Sequence, residues 1–249
     1  MKKTITTYSP IAAAVAGLFM LTACSKNADT TPTQTAKPET ASEQTLLVDE
    51  SRLSIYHGVD LTSDLSHLSD NQHKMLSLLI DASKIMDDLF WKQAFFEDKD
   101  AFLSSISDEK VRHFAAINYG PWDRLNGDTP FLSGYEDKAL GAEFYPHDME
   151  KEEFATADFG DKQGLYSMVK RDEAGNLYSV PYSEAFKSEL MKASDLLKKA
   201  SELAEDESFK QYLQLRSEAL LSNDYLASDM AWMDMKTNPI ELVIGPIES

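Results

Sequence analysis

The stretch NPIELVIGPIES, residues 238–249, combines the features of a buried β-strand with those of a loop. Isoleucine and valine dominate it, Asn-Pro precedes the apolar run, and Gly-Pro follows it. A strand this apolar needs neighbours on both of its faces. We therefore predict a buried strand here, and we expect the sequence to be the front part of a longer protein.

The composition is that of a folded and acidic protein. Of the 249 residues, 43% are hydrophobic, so the chain can bury a substantial core. Aspartate and glutamate number 42 against 24 lysines and arginines, which gives a formal net charge of -18. Because this charge repels polyanions, nucleic acid is excluded as a partner.

The first residues have the pattern of an export signal that ends at a cysteine. Lys2 and Lys3 form a basic start, and residues 11–23 are apolar but too few for a comfortable membrane span. Leu-Thr-Ala-Cys at residues 21–24 resembles the lipobox of bacterial lipoproteins, in which the cysteine is acylated and becomes the new N-terminus. We therefore expect Cys24, the only cysteine, to be a lipid anchor. The alternative is an ordinary signal peptide that contains a cysteine.

Three segments follow from these patterns. We predict a lipoprotein signal peptide over residues 1–23, a lipidated cysteine and disordered tether over residues 24–46, and a folded part over residues 47–249. Ser25 stands where inner-membrane lipoproteins usually carry aspartate. The lipobox resemblance therefore implies a cell-envelope lipoprotein of a Gram-negative bacterium, on the outer membrane and facing the periplasm.

Helical periodicity dominates the folded part. Ser69 and Gln72 match a capping box, and apolar residues then recur at three- and four-residue spacing as far as Phe90. This pattern predicts a long amphipathic helix, and residues 182–222 predict two more that form an antiparallel hairpin. Asp206 is predicted to cap the second helix of this hairpin. Ser107 and Asp148 are predicted to cap two further helices that precede it in the chain.

A β-hairpin is predicted between the two strongly helical regions. Residues 165–169 and 177–181 are apolar runs that flank a turn containing glycine and asparagine. The predicted fold is therefore α+β, predominantly helical, with this hairpin and a few further strands.

The segment NYGPWDRLNGDTPF, residues 118–131, interrupts the helical pattern with Gly-Pro, Asn-Gly and Thr-Pro turn signals. A polar loop that carries aromatic residues can be a binding surface. It can equally be a structural loop in which Trp122 fills the core. The sequence leaves both interpretations open.

The residues carry few catalytic signatures. None of the histidines is followed by glutamate, so there is no HExxH zinc motif, and there is neither a glycine-rich phosphate loop nor a GxSxG motif. The spacing of Asp224, Asp229 and Asp234 fits neither one helix face nor a calcium loop, so we interpret them as solvated or capping. We predict no metal site in this chain. The histidines are His57, His67, His73, His113 and His147.

Several blocks resemble, in this order, the bacterial branch of the dipeptidyl peptidase III family of zinc exopeptidases. The blocks are residues 118–131, residues 142–154 (AEFYPHDMEKEEF), residues 212–234 (YLQLRSEALLSNDYLASDMAWMD) and residues 239–249 (PIELVIGPIES). The resemblance covers most of the chain from about Leu47 onward. It implies the N-terminal, non-zinc lobe of a two-lobed peptidase whose other lobe carries an HExxxH-type helix that this sequence lacks.

The resemblance also implies a function. The family is expected to release dipeptides from peptide N-termini, using zinc that we expect in the full-length parent and not in this chain. The glutamate of the family's Ile-Glu-Ser segment binds the peptide's free α-ammonium, and that role carries over to Glu248, with Ile247 and Gly245 in the same substrate-binding stretch. This chain alone is predicted to be inactive, with no catalytic residue. The alternative is a non-catalytic peptide-binding or structural envelope lipoprotein.

Overall fold

A computed structural model describes residues 44–95 and 98–246. The predicted signal peptide, the anchor at Cys24, most of the tether, and Ile247 and Glu248 lie outside the described residues, so these assignments stay predictions. Residues 44–46 already pair with the folded part, because the N–H of Thr45 donates to Oγ of Ser133 at 2.8 Å. In residues 44–95 and 98–246, no helix has the length and apolar character needed to cross a membrane.

The described residues form a mainly helical α+β fold with two small antiparallel sheets, as predicted. The helices are α1 (Asp70–Ala94), α2 (Lys99–Ser105), α3 (Glu109–Asn118), α4 (Lys151–Thr156), α5 (Tyr182–Ala185), α6 (Lys187–Leu203), α7 (Glu207–Ser222) and α8 (Leu226–Asp234). The strands are β1 (Trp122–Asp123), β2 (Thr129–Pro130), β3 (Ser167–Arg171) and β4 (Leu177–Pro181). Short 3-10 helices occupy Glu50–Ser54 and Arg124–Asn126.

Helix α1 begins with the predicted capping box. The N–H of Gln72 donates to Oγ of Ser69 at 3.2 Å, and the N–H of Ser69 donates to Oε1 of Gln72 at 2.9 Å. These two bonds satisfy main-chain donors that the first helical turn leaves without partners. The apolar stripe behind the cap is buried, as the periodicity predicts.

The larger core cluster lies where α1, α6 and α7 pack together. Leu197 of α6 and Leu213 of α7 are fully buried in it, together with Leu89 of α1. Helix α7 is capped as predicted, because the N–H of Phe209 donates to Oδ1 of Asp206 at 2.9 Å. Since only residues 204–206 join α6 to α7, the two helices form the predicted hairpin.

A second cluster, mostly aromatic, lies between the end of α1, helices α2 and α3, and the β1–β2 hairpin. The Phe95 and Trp122 rings meet edge to face with their centroids 5.5 Å apart, and the Phe114 and Phe131 rings meet in the same way at 4.9 Å. Such pairs add stability beyond the burial of apolar area. This cluster fixes the loop that the sequence singled out.

Two of the predicted helix caps, Ser107 and Asp148, are wrong. Helix α3 is capped by Asp108 and not by Ser107, since Oδ1 of Asp108 accepts from the N–H groups of Lys110 and Val111 at 2.8 and 3.0 Å. Asp148 does not cap α4; its carboxylate instead accepts from Arg171 at 3.2 Å. The predicted β-hairpin, by contrast, is confirmed, because strands β3 and β4 pair antiparallel.

The strand predicted over residues 238–249 is absent from residues 238–246, which form an irregular segment. Ile244 is buried, Ile240 and Leu242 pack partly against the larger core cluster, and Val243 is 66% exposed. The prediction of a buried strand is therefore wrong in its main-chain pairing and correct only in part in its burial. Apolar side chains anchor this segment without a neighbouring strand.

Candidate functional site

The predicted substrate-binding stretch begins inside the described residues and continues beyond them. Gly245 lies at a bend between two buried residues, Ile244 and Pro246. Ile247 and Glu248 follow outside the described part of the chain. The structure therefore defines this stretch only as far as Pro246, with Ile244 buried in the larger core cluster.

A buried arginine joins α7 to α8 in this region. Arg216 is 7% exposed, and its Cζ lies 5.4 Å from the ring centroid of Tyr212 and 5.1 Å from that of Tyr225. It donates through Nη2 to Oδ1 of Asp229 on α8. Two ring faces and a carboxylate thus hold the guanidinium in place.

The aromatic partners of Arg216 belong to the same core cluster as Ile244. Burial raises the pKa of Tyr212 and the pKa of Tyr225, so both phenols stay neutral near pH 7. Asp229 is solvated as interpreted, since its side chain is 51% exposed, but its carboxylate also pairs with Arg216, which was not predicted. The pairing joins residues 13 positions apart, which the spacing of the aspartates does not reveal.

The loop around Trp122 is structural. Trp122 is buried, and its Nε1–H donates to the carbonyl oxygen of Glu136 at 2.9 Å. The carboxylate of Asp123 is fully buried and accepts from Nε and Nη2 of Arg52 at 2.6 and 3.2 Å. It also accepts from the N–H of Leu125 at 3.1 Å. Of the two interpretations that the sequence left open, the structure favours the one in which Trp122 fills the core.

Asn118, at the end of α3, completes the polar support of this loop. Its Oδ1 accepts from the hydroxyl of Tyr56 at 3.1 Å and from the N–H of Arg124 at 3.0 Å, and its Nδ2 donates to the carbonyl of Phe114 at 2.9 Å. A buried amide with both ends bonded fixes the surrounding main chain. Asp123 therefore points inward to Arg52, while the next residue, Arg124, is exposed.

The described residues do not form a zinc site. In residues 44–95 and 98–246, no group of three or more histidine, cysteine, aspartate or glutamate side chains is placed to hold a metal ion. A catalytic zinc needs three protein ligands. The zinc that the family resemblance implies therefore does not fit this part of the chain.

No family model matches the chain. Among curated proteins, it is similar to Nudix hydrolase 3 of Arabidopsis thaliana, with 32% identity over 261 residues. The match covers 80% of this chain and 34% of that protein. The chain spans about a third of the length of this relative. The activity in the relative's name is therefore not assigned to this chain.

Two solved structures are similar in both fold and sequence. Dipeptidyl peptidase III (DPP III) from Caldithrix abyssi matches with a TM-score of 0.74 and 38% identity over 78% of this chain and 39% of that chain. DPP III from Corallococcus sp. strain EGB matches with a TM-score of 0.69 and 32% identity over 75% of this chain and 37% of that chain. The resemblance inferred from the sequence blocks is thus confirmed, and the folded part of this chain is a dipeptidyl peptidase III-like N-terminal portion.

Proposed function

We propose that this chain supplies the substrate-binding lobe of a zinc-dependent dipeptidyl peptidase III-like enzyme that releases dipeptides from peptide N-termini. One observation carries the proposal, namely the similarity in fold and sequence to two DPP III structures. A fold alone does not define an activity. The proposal therefore also needs a residue with a defined chemical role.

Glu248 is the residue that we propose to bind the peptide's α-ammonium. An enzyme that cuts after the second residue needs a fixed anion at the substrate's N-terminus, because that contact sets the distance to the scissile bond. A carboxylate and an ammonium form a charge-assisted hydrogen bond, which supplies direction as well as energy. The buried Ile244 and Pro246 support this role, since they anchor the chain just before Glu248.

We propose that zinc is bound by the full-length parent and that this chain alone does not hydrolyse peptides. The described residues offer no group that would hold the metal. Zinc, where the parent binds it, supplies an activated water for peptide hydrolysis. The contribution of this chain is then to hold and orient the peptide.

The anchor is a further part of the proposal. A lipidated Cys24 would hold the folded part to the outer membrane, since two or more acyl chains bind a bilayer stably where one does not. Residues 25–43 would act as the tether and let the folded part stand away from the bilayer. The peptide would then be bound in the periplasm.

Peptide titration of the 249-residue chain tests the role of Glu248. We expect tetra-alanine with a free amine to bind and its N-acetyl form to bind much more weakly. Glu248→Gln should weaken tetra-alanine binding roughly 10- to 150-fold, because a hydrogen bond to a charged group contributes about 1.5–3 kcal/mol. Glu241→Gln is the matched control, since Glu241 is exposed in the same segment and the substitution removes the same charge.

Three results would contradict the proposal. N-acetyl tetra-alanine could bind as tightly as the free amine, or Glu248→Gln could leave the affinity unchanged. Release of dipeptides by this chain with added zinc would contradict the assignment of zinc to the parent.

The affinity for tetra-alanine should also fall as pH rises through about 8, where a peptide α-ammonium loses its proton.

A further inference from the structure

A polar cavity of about 270 Å³ lies beside the Trp122 loop, between the end of α1 and the 3-10 helix that follows β1. We name it the Arg124 cavity. Asp128 and Lys138 also line an adjoining cavity of about 560 Å³. The lining residues that matter for its chemistry are Phe90, Asn118, Tyr119, Arg124, Asp128 and Lys138.

Arg124 differs from the other arginines of the chain in its bonding. Two of the others, Arg52 and Arg216, each bond to an aspartate. Arg171 bonds to two carboxylates, and Arg112 donates to a main-chain carbonyl. The guanidinium of Arg124 forms no hydrogen bond or ion pair with any residue that the structure describes. The charged group of Arg124 is therefore left to solvent or to a ligand.

The guanidinium of Arg124 is nevertheless held in place. Its Cζ lies 5.4 Å from the ring centroid of Phe90 and 5.9 Å from that of Tyr119. Its own main chain is fixed, because its N–H donates to the buried Asn118. A guanidinium that is already oriented loses less side-chain freedom when it binds a ligand.

The backbone around the cavity is strained at two positions. Tyr119 and Asp128 both have left-handed conformations, with φ values of 54° and 55°. Such conformations are uncommon outside glycine, and they concentrate at binding sites where surrounding structure enforces them. Tyr119 is the C-cap of α3, with its N–H bonded to the carbonyls of Ala115 and Ala116, and the N–H of Asp128 donates to the carbonyl of Asp123 at 3.0 Å.

The charge of the cavity is positive. Arg124 and Lys138 line this cavity with one carboxylate, that of Asp128, while a second carboxylate, that of Asp137, lines the adjoining cavity. The Nζ of Lys138 lies 3.6 Å from Oδ1 of Asp128, which is an ion pair but longer than a good hydrogen bond. Lys138 therefore keeps donors available for a second anion, in addition to the forked donors of Arg124.

We propose that the Arg124 cavity binds a carboxylate. A guanidinium presents two parallel N–H donors that match the two oxygens of a carboxylate, and Lys138 adds a second positive charge. The volume suits a ligand about the size of one or two amino-acid residues. Its source is either the C-terminus of a peptide or a small free dicarboxylate. The inference goes beyond the proposed function, since it does not use Glu248.

Calorimetric titration of the 249-residue chain with N-acetyl-dialanine tests this site. Because the amine of this probe is blocked, the result does not depend on the site proposed at Glu248. We expect saturable binding of the carboxylate form and none of its C-terminal amide. Arg124→Gln should weaken binding on the order of tenfold or more, and Lys138→Gln should weaken it as well. Lys187→Gln is the matched control, since Lys187 is exposed and forms no ion pair among the described residues.

Titration with succinate then separates the two sources of carboxylate. Binding of succinate with the same dependence on Arg124 identifies a small free carboxylate as a ligand, and binding of the peptide alone identifies a peptide C-terminus. Each result supports the site. Absence of binding by both probes, equal binding of the amide, or unchanged affinity in a folded Arg124→Gln variant overturns the proposal. Thermal unfolding of each variant shows that it is folded.

Discussion

Substitution of Asp123 by asparagine tests whether the Trp122 loop is held by its buried ion pair. The side chain keeps its shape in this variant and loses its charge. In the native chain the carboxylate is fully buried and accepts from Nε and Nη2 of Arg52 and from the N–H of Leu125. The bonds to Arg52 join segments 71 residues apart in the sequence. Their loss should therefore destabilise the aromatic cluster as a whole.

The expected cost follows from how the two charges are solvated. Removing one partner of a buried ion pair costs about 3–5 kcal/mol, because the other charge stays buried without a partner. The side chain of Arg52 is 31% exposed, so water compensates part of this loss. We therefore expect Asp123→Asn to lower the free energy of unfolding by about 3 kcal/mol, at the lower end of that range.

Urea unfolding of the 249-residue chain, followed by tryptophan fluorescence and circular dichroism, measures this change. A double-mutant cycle with Arg52→Gln should give a coupling energy of about 2 kcal/mol, since the two residues share the bonds that are lost. Asp60→Asn is the control, because Asp60 is exposed, and it should change stability by less than about 0.5 kcal/mol. A loss below 1 kcal/mol for Asp123→Asn, or a coupling energy near zero, would refute the structural role.

The other predictions concern the helical core and its surface pairs. Leu197→Ala should lower the free energy of unfolding by about 2–5 kcal/mol, because a fully buried leucine is lost. Met191→Ala on the same helix should cost under about 0.5 kcal/mol, since Met191 is 54% exposed; similar urea midpoints for these two variants would contradict the packing. Ser69→Ala should cost about 1 kcal/mol through the lost cap of α1, and a loss of helical ellipticity on heating at a lower temperature checks it. Burial raises the pKa of Glu189, but the hydrogen bonds from Lys92 and Ser188 outweigh it and lower the pKa to about 2. The pair of Lys92 and Glu189 therefore stabilises the fold at pH values above 4.5, the ordinary pKa of a glutamate. This contribution is lost as pH falls toward 2. The stability difference between the native chain and Glu189→Gln, measured in urea, should be larger at pH 7 than at pH 2, and a constant difference would contradict the pairing.

Features set by neighbouring residues were predicted well from the sequence. The capping box of Ser69 and Gln72 and the cap at Asp206 both depend on residues within three positions, and both are present. Periodicity likewise predicted which face of α1 is buried. Such local signals predict where most of the long helices start, because a helix is stabilised by residues that are close in the chain.

Features that depend on distant residues were missed or predicted wrongly. The pair of Arg216 and Asp229 crosses from α7 to α8, and Asp123 pairs with Arg52 and not with its neighbour Arg124. The apolar run at residues 238–246 predicted burial, but burial does not determine whether a main chain pairs with another strand. Only the folded chain shows which distant residues meet.

The candidate site also combines features that the sequence predicted with features that it did not. The sequence blocks predicted the relation to DPP III, and the similarity to two solved structures confirms it. The role of Glu248 came from the resemblance and stays a prediction. No local pattern indicated the Arg124 cavity, because its lining residues come from α1, α3, the 3-10 helix at Arg124–Asn126 and the loops beyond it.

A crystal structure of the 249-residue chain with bound tetra-alanine tests most directly whether Glu248 holds the peptide's N-terminus. We predict that the α-ammonium nitrogen lies about 2.7–3.2 Å from a carboxylate oxygen of Glu248, which is the distance of a charge-assisted hydrogen bond. A peptide bound with its amine elsewhere, and with the Glu248 carboxylate free of it, would contradict the proposed function.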